Sequence, residues 1–472
     1  MVFSSPSFIF VFLPLFFTSY YLTPPRARNA LIFFGSVLFY VMGATHVAIV
    51  LVLTVPLNQY VGRYIHRHQG TRRAKVAVIL GILANLAPLF VYKYLGFFAQ
   101  SLNDGFFLVA LTRPFAVPEL LLPAGISFFT FQGLSYLIDI YWGRIEPAPS
   151  TIDFGMYHTS FPQLIAGPIV RYVEIQDRVT RRPIEIEQVE WGIVRFCIGL
   201  AKKIVIADNM GAVADKIFAL PPDQLTGPLA WLGTITYTLQ IYFDFAGYSD
   251  MAIGLGAMLG FRFPENFNQP YRSQSVTEFW RRWHMTLSRW FRDYLYIPLG
   301  GNRAGPLRTY FNLFIVFFLC GLWHGAAYTF IVWGMIHGAL LVIERVLRNR
   351  FAFVPSGIPG WLCTQLLIMM AWVFFRCDSV GAALRHLAVM FGGGKASEQI
   401  YSVMFYMTWD RIFVLVVGVL VSLVPAERFG TLLASSAQRP ALWLRASALT
   451  CFVYALSLIA ANGFNPFIYF RF

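Results

Sequence analysis

The stretch "YFNLFIVFFLCGLWHGAAYTFIVWGMIHGALLVI", residues 310–343, decides the fold class, because histidine is its only ionisable residue apart from tyrosine and cysteine. It is longer than the roughly 20 apolar residues of one membrane-spanning helix, so it has room for two. Comparable apolar runs recur at 8–22, 31–59, 76–100, 120–141, 229–260, 361–375, 412–424 and 447–461. The sequence therefore predicts an all-α integral membrane protein with about 10–12 transmembrane helices and with re-entrant or broken segments around a central cavity. We expect residues 1–472 to form a single transmembrane domain.

The composition agrees with this class and excludes others. Of the 472 residues, 57% are hydrophobic and 13% are charged, whereas about 25% of the residues of an ordinary soluble domain are charged. The net charge of +14 comes from basic residues that flank apolar runs, where anionic lipid head groups are the natural partner, so we expect no nucleic acid. The five cysteines lack CxxC spacing, so the sequence predicts neither a disulfide framework nor a metal site.

The topology can be predicted from the charged loops. The first apolar run lacks the basic segment and cleavage site of a signal peptide, so we expect a retained span. The loop from Arg63 to Lys75 is rich in arginine and is therefore expected in the cytoplasm. If the run 31–59 crosses twice, Arg26 and Arg28 share that side and the N-terminus faces out.

Two proline- and glycine-containing segments interrupt the apolar pattern. In 121–143, Pro123 and Gly125 stand in an otherwise apolar run. The segment "SFPQLIAGPIVR", residues 160–171, has two prolines and Gly167, which makes a continuous helix unfavourable. Such backbone persists in a membrane where protein or water surrounds it, which indicates a re-entrant or broken segment, and a kinked span or an interfacial loop is an equal alternative.

Acidic residues inside an apolar run are candidates for function, because they are costly at membrane depth. Asp244 and Asp250 lie in the run 240–260. Six residues apart on a helix, they point about 240° away from each other, so they do not form one paired-carboxylate site. Asp250 has an alternative structural role as the N-cap of a helix that begins at Met251.

Two histidines lie in the segment 319–338. On one straight helix, His324 and His337 would be about 220° apart, so they would not ligate one metal together. Trp323 precedes His324, and Tyr328 follows it by four residues on the same face, while nearby glycines permit close approach of another helix or a ligand. The alternative for His324 is a hydrogen-bonded packing residue.

The segment "EFWRRWHMTLSRWFRDYLYIPLGGNR", residues 278–303, combines rings with arginines. Aromatic and apolar residues recur every three to four positions and predict one face of a helix: Trp280, Trp283, Leu287, Trp290 or Phe291, and Tyr294. Arginines occupy much of the remainder: Arg281, Arg282, Arg289 and Arg292. A basic helix with a tryptophan face is typical of the membrane interface, either along the head groups or at the mouth of a cavity.

Common nucleotide-binding and protease motifs do not occur in the sequence, which leaves two classes open. One is a membrane enzyme with a histidine general base, and the other is a transporter with a histidine and aspartate proton relay. Transporters often consist of related halves, and this sequence has no such symmetry.

Six motifs carry a resemblance to a known family: "PAGISFFTFQ", "SFPQLIAGPIVR", "YFDFAGYSDMAIGLG", "ENFNQPYRSQSVTEFWRRWHMTLSRWFRDYLYIPLGGNR", "GLWHGAAYTFIVWGMIHG" and the terminal "FNPFIYFRF". In order and spacing they resemble the bacterial membrane-bound O-acyltransferases, most closely the alginate O-acetylase type. The resemblance implies a multi-pass enzyme of the bacterial inner membrane. It passes an acyl group from a cytoplasmic thioester across the bilayer to a polymer, with periplasmic transfer proteins as partners.

The resemblance also implies roles for individual residues. Catalysis is expected from His324 in "GLWHGA" and from His284 in "RRWHMTLS", while His337 receives no role. Candidates for the substrate or donor path are Asp244, Asp250, Trp280, Arg281, Arg282, Trp283, Arg289, Trp323 and Tyr328. No metal or bound cofactor is implied, and the donor is acetyl-coenzyme A or an acetylated carrier. Alternatives are acetylation of cellulose or another polymer, D-alanine transfer to teichoic acid or, in another class, a proton-coupled transporter.

Overall fold

A computed structural model describes residues 2–44, 47–118, 120–303, 305–393, 401–424, 440–463 and 465–468. Within these ranges every regular element is a helix, which confirms the all-α prediction. Of the terminal motif "FNPFIYFRF", residues 464 and 469–472 lie outside the described part.

The chain divides into two compact units. The first comprises Met1–Gly192 and Ala252–Pro264, and the second comprises Ile193–Met251 and Glu265–Phe472. The prediction of one functional domain around a central cavity stays a prediction, and the two units are described separately.

The first unit contains ten helices among its described residues. They are α1 Leu13–Leu22, α2 Arg28–Ala44, α3 Ala48–Arg67, α4 Arg72–Leu89, α5 Leu95–Ala110, α6 Ile126–Tyr141, α7 Thr151–Thr159, α8 Phe161–Leu164, α9 Tyr172–Ile175 and α10 Asp177–Thr180. The helices α3, α4 and α6 pack against one another. Buried amides join two of them, since Asn58 on α3 and Asn85 on α4 exchange hydrogen bonds of 3.0 and 2.8 Å.

Two long helices, α11 Ile186–Ala201 and α13 Gly227–Met258, contribute residues to both units. The other helices of the second unit are α12 Asp208–Phe218, α14 Val276–Arg282, α15 Met285–Phe291, α16 Pro306–His324, α17 Tyr328–Phe351, α18 Gly357–Arg376, α19 Val380–Met390, α20 Val403–Tyr406, α21 Trp409–Leu423 and α22 Leu442–Asn462. A π-helical stretch, Lys202–Ala207, joins α11 to α12, and another, Arg292–Tyr296, follows α15.

Six helices among the described residues are long and apolar enough to cross a membrane. They are Ala48–Arg67, Arg72–Ala110, Pro306–His324, Tyr328–Phe351, Gly357–Arg376 and Leu442–Ala461. Six is fewer than the predicted 10–12, because several apolar runs form helices shorter than a typical bilayer crossing, such as α2 with 17 residues and α6 with 16. The chain is a multi-pass membrane protein.

The segment 160–171 is broken, as predicted. The helix α8 has four residues, and the irregular backbone after it includes Gly167 with φ of 102°. Its side chains Ile169 and Val170 are buried in protein, which provides the surroundings that non-helical backbone needs in a membrane. In the segment 121–143, by contrast, Pro123 and Gly125 precede α6 and do not interrupt it.

Two glycines bring α16 and α17 into close contact. A Cβ atom on Gly334 would lie 2.3 Å from the carbonyl oxygen of Phe317 and 3.0 Å from Cα of Gly321. We therefore expect Gly334→Ala to lower the free energy of unfolding by about 1–3 kcal/mol through overpacking. The control is Gly381→Ala on α19, where the new Cβ would meet its nearest atom at 3.5 Å. Thermal unfolding of the purified protein in detergent measures both, and equal stability of the two variants would contradict the prediction.

Candidate active site

His324 stands at the end of a helix, not in the middle of one. The helix α16 ends at His324, Gly325 is extended with φ of −160°, and α17 begins at Tyr328. A Cβ atom on Gly325 would lie 2.2 Å from ring atoms of Phe330, so the chain turns where no side chain fits. The run 310–343 thus holds two helices, as its length allows, and the assumption of one straight helix through His324 and His337 does not apply. The expected shared face of Tyr328 and His324 is wrong, because Tyr328 is 53% exposed.

The imidazole of His324 lies in an aromatic pocket. It is 4% exposed, and its ring centre lies 4.9 Å from that of Trp323, 5.1 Å from Trp333 and 5.2 Å from Phe375. A cavity of about 220 Å³ shares the Phe375 wall of this pocket. The cavity is lined by Ala327, Thr329, Phe330, Phe375, Arg376, Cys377, Asp378 and Ile468.

His284 occupies a break in the predicted aromatic helix. It lies between α14 and α15 in the left-handed region, with φ of 43°, a conformation that a non-glycine residue rarely adopts. The predicted continuous helix is therefore wrong. The aromatic and apolar residues of the predicted face, expected at the membrane interface, are buried in the second unit: Trp280, Trp283, Leu287, Trp290, Phe291 and Tyr294.

The side chain of His284 is fully buried, and Asn266 binds it. Nδ1 of His284 lies 3.0 Å from Oδ1 of Asn266, and the ring centre lies 4.6 Å from that of Phe245. Burial lowers the pKa of His284 to about 3, so the imidazole is neutral at physiological pH. The ring centre of Trp323 lies 6.0 Å from that of His284. Trp323 therefore contacts both His284 and His324.

His337 belongs to the same cluster of rings. Trp280 donates its indole N–H to Nδ1 of His337 over 3.2 Å, and the rings of His337 and Trp333 are 4.8 Å apart. Trp333 is thus in contact with both His324 and His337. The structure brings three histidines together around Trp323 and Trp333, which the straight-helix argument did not predict.

The other candidate donor-path residues of the segment 278–303 differ in their exposure and in their contacts. Arg282 pairs with Glu278 over 2.9 Å, Arg289 is half-buried, and Arg281 is exposed. Trp283 stacks on Phe279 at 5.5 Å. Arg281 therefore has the most accessible guanidinium of the three arginines.

Asp250 forms buried ion pairs and does not cap a helix. It lies inside α13, and its carboxylate binds Arg195 at 2.6 Å and Lys202 at 2.6 Å. The predicted N-cap at Met251 is wrong, because α13 continues to Met258. These cations lie 55 and 48 positions away in the sequence, so no local pattern could show the pairing.

Asp244 binds different groups from Asp250, in agreement with their predicted separation. Its carboxylate accepts from Lys203 at 2.7 Å and from the backbone N–H of Ile468 at 2.7 Å. Lys203 also binds Asp208 at 2.6 Å, and burial raises the pKa of Asp208 to about 6. Asp244 thus fixes the C-terminal segment to α13, and its predicted place on the substrate or donor path stays a prediction.

Comparisons with known proteins show similarity to one family along most of the chain. A family described as MBOAT, membrane-bound O-acyltransferase family, matches residues 145–383, which include all three histidines of the cluster. The probable alginate O-acetylase of Azotobacter vinelandii is 40% identical over 502 aligned residues, covering 100% of both chains. The probable alginate O-acetylase of Pseudomonas aeruginosa is 46% identical over 84% of this chain and 75% of its own. The peptidoglycan O-acetyltransferase of Helicobacter pylori is 37% identical over 83% and 80%.

Proposed function

The chain belongs to the membrane-bound O-acyltransferase family, and from this premise we propose that it acetylates hydroxyl groups of an exopolysaccharide. The observation that carries the proposal is the contact of two buried histidines, His284 and His324, with one ring, Trp323. Both histidines fall inside the region that matches the family. Because membership of this family indicates an acyltransferase, the alternative of a proton-coupled transporter is not needed to explain the sequence.

In the proposed reaction, His324 is the general base. Its neutral imidazole takes the proton of an acceptor hydroxyl while the oxygen attacks the carbonyl carbon of an acetyl thioester. The carbon–oxygen bond forms, the carbon–sulfur bond breaks, and the thiolate leaves. The imidazolium then returns its proton to the thiolate, so the products are an O-acetyl ester, a free thiol and a neutral His324. The aromatic surroundings of His324 exclude water, which would otherwise compete as the acceptor.

The donor is proposed to be acetyl-coenzyme A or an acetylated carrier on the cytoplasmic side of the bacterial inner membrane. A phosphate-bearing thioester needs cations near its entrance, and Arg281, Arg282 and Arg289 are the candidates. Trp280 and Trp283 support these arginines from within the protein. The acetyl group is proposed to cross the bilayer and to reach the polymer through periplasmic transfer proteins.

Alginate is the proposed acceptor, because two of the relatives are named as probable alginate O-acetylases and one of them aligns over its full length. Peptidoglycan is the second candidate, since one relative at 37% identity is named for it. Cellulose and other polymers are further possibilities within the same chemistry.

The acceptor can be identified in the bacterium that encodes this chain. We expect deletion of the gene to remove O-acetyl groups from the secreted exopolysaccharide, because the acetyl donor would have no other route to the exopolysaccharide. The O-acetyl groups of peptidoglycan should stay unchanged. Ester content of the separated polymers, measured by NMR after purification, gives the result. Loss from peptidoglycan alone would assign the second acceptor, and unchanged acetylation of every polymer would contradict the proposed function.

A further inference from the structure

Oδ1 of Asn266 accepts from two side chains at once. Nδ1 of His284 lies 3.0 Å from it, and the hydroxyl Oγ1 of Thr286 donates to it over 2.8 Å. The backbone N–H of Thr286 points to the same oxygen at 3.4 Å. These bonds join Asn266 to His284, in the break between α14 and α15, and to Thr286 in the first turn of α15.

The orientation of the Asn266 amide follows from its other contacts. Nδ2 of Asn266 donates to Oγ of Ser249 over 3.0 Å, while the backbone oxygen of Asn266 accepts from the N–H of Met285 over 2.9 Å. If the amide were flipped, its NH₂ group would face the backbone N–H of Thr286, which can only donate. The oxygen therefore faces His284, and Nδ1 of His284 must donate the hydrogen.

A neutral imidazole has one N–H, so a proton on Nδ1 leaves Nε2 with its lone pair. Nε2 of His284 is buried and has no hydrogen-bond partner within the part of the chain that the structure describes. Phe245 and Trp323 lie against the ring, and neither offers a strong acceptor for a proton on Nε2. A buried nitrogen with a free lone pair is costly unless a ligand donates to it.

We propose that Asn266 is a positioning residue that holds His284 in the Nδ1–H tautomer, so that Nε2 accepts a hydrogen bond from a hydroxyl of the acyl acceptor. This inference rests on the proposed function. The acyl acceptor at this step is either the polymer or a hydroxyl-bearing transfer protein that passes the acetyl group on, and either can present one hydroxyl to His324 while a second is held by His284. In this tautomer, neutral His284 cannot donate to the thioester carbonyl or protonate the departing thiolate.

Asn266→Asp tests the proposal through its pH profile. A carboxylate beside Nδ1 favours the imidazolium, so the pKa of His284 rises from about 3 towards the neutral range. Below that raised pKa, Nε2 carries a proton and cannot accept. We expect acetyl transfer by the variant to fall on the acid side of the range from about pH 5 to pH 8 and to recover on the alkaline side. In the wild type His284 should cause no such fall.

A matched control separates this effect from loss of folding. Asn312 is also a buried asparagine of the second unit, and it donates to the carbonyl oxygens of Leu299 and Gly301 over 3.3 and 3.1 Å. Asn312→Asp can lower the amount of folded protein but should leave the pH profile unchanged.

A second variant, Asn266→Ala, removes the acceptor of Nδ1–H and should lower transfer about 10- to 100-fold, as loss of a partner that orients a histidine typically does.

The tautomer can be measured without any transfer reaction. Solid-state NMR of protein with ¹⁵N-labelled histidine distinguishes a protonated from an unprotonated ring nitrogen, and His284→Ala assigns the resonance. We expect protonated Nδ1 in the wild type and a mixture in Asn266→Ala. Protonated Nε2 in the wild type, or a pH profile of Asn266→Asp that superimposes on the wild type, would overturn the inference. If the wild type showed the expected tautomer but transferred no acetyl group, the proposed function would fail and the positioning role would stand.

Discussion

Replacing His324 with alanine is expected to lower acetyl transfer by about 10²- to 10⁴-fold, which is the usual contribution of a general base. The imidazole lies between Trp323, Trp333 and Phe375, and none of these rings can accept a proton from an attacking hydroxyl. Membrane vesicles supplied with labelled acetyl-coenzyme A and the acceptor polymer measure the rate. The aromatic packing around residue 324 should preserve the fold, so the level of protein in the membrane should stay close to that of the wild type.

A second buried histidine of the same unit provides the matched control. His386 is also 4% exposed, but it stacks on Phe218 at 4.5 Å and its Nε2 lies 3.2 Å from Oγ1 of Thr234. Glutamine preserves much of the volume and the hydrogen bonding of histidine but is not a base. We therefore expect His324→Gln to be as inactive as His324→Ala and His386→Gln to stay active. Equal activities of the two glutamine variants would contradict a catalytic role for His324.

The largest effect on stability is expected at Lys203. Its side chain is 4% exposed and binds two carboxylates, those of Asp244 and Asp208. Lys203→Met would leave both without their cation, and removal of one partner from a buried ion pair costs about 3–5 kcal/mol. A marked decrease in the unfolding temperature of the detergent-solubilised protein should report this loss.

The neighbouring lysine shows whether burial causes the effect. Lys202 is 26% exposed, and its partner Asp250 also binds Arg195, so Lys202→Met should destabilise the protein much less. The double variant Lys203→Met with Asp244→Asn should recover part of the stability, because the uncompensated charge of Asp244 is gone. Equal unfolding temperatures of the two lysine variants would show that the Lys203 network does not stabilise the fold.

The all-helical class could be predicted from the sequence, because its long apolar runs form helices in the structure. The runs 76–100 and 310–343, for example, lie in helices that are long and apolar enough to cross a membrane. Six helices among the described residues meet the length and composition of a span, and the predicted 10–12 spans stay a prediction, because the length of an apolar run does not reveal where its helix ends. The helix α6 begins at Ile126, after two helix-breaking residues that belong to the same run.

Helix breaks at the site were missed, since tertiary contacts cause them. The ring of Phe330 occupies the space next to Gly325, and bonds from Asn266 stabilise the left-handed His284. Neither partner lies within one helical turn of the residue it affects. Local periodicity therefore predicted one continuous helix through His284, and the length of the run 310–343 allowed two helices without locating the break after His324.

The two central histidines were found through motifs, and their partners were not. His284 and His324 lie 40 positions apart, and periodicity alone left them unrelated until the structure placed Trp323 between them. Asn266 stands inside a quoted motif, but a single asparagine between Glu265 and Phe267 has no spacing signal that identifies it as a hydrogen-bond partner of His284. The pairing of Asp250 with Arg195 and Lys202, and of Asp244 with Lys203, could not be predicted, because these partners lie more than 40 positions apart in the sequence.

The most direct test of the central claim is the O-acetyl content of the secreted polysaccharide in a strain that lacks the gene and carries either the wild-type chain or His324→Ala at matched membrane levels. The account predicts normal polymer yield in both strains, with acetyl groups restored by the wild type and absent with His324→Ala. Full acetylation with His324→Ala would contradict the assignment of His324 as the catalytic base and leave it as a packing residue.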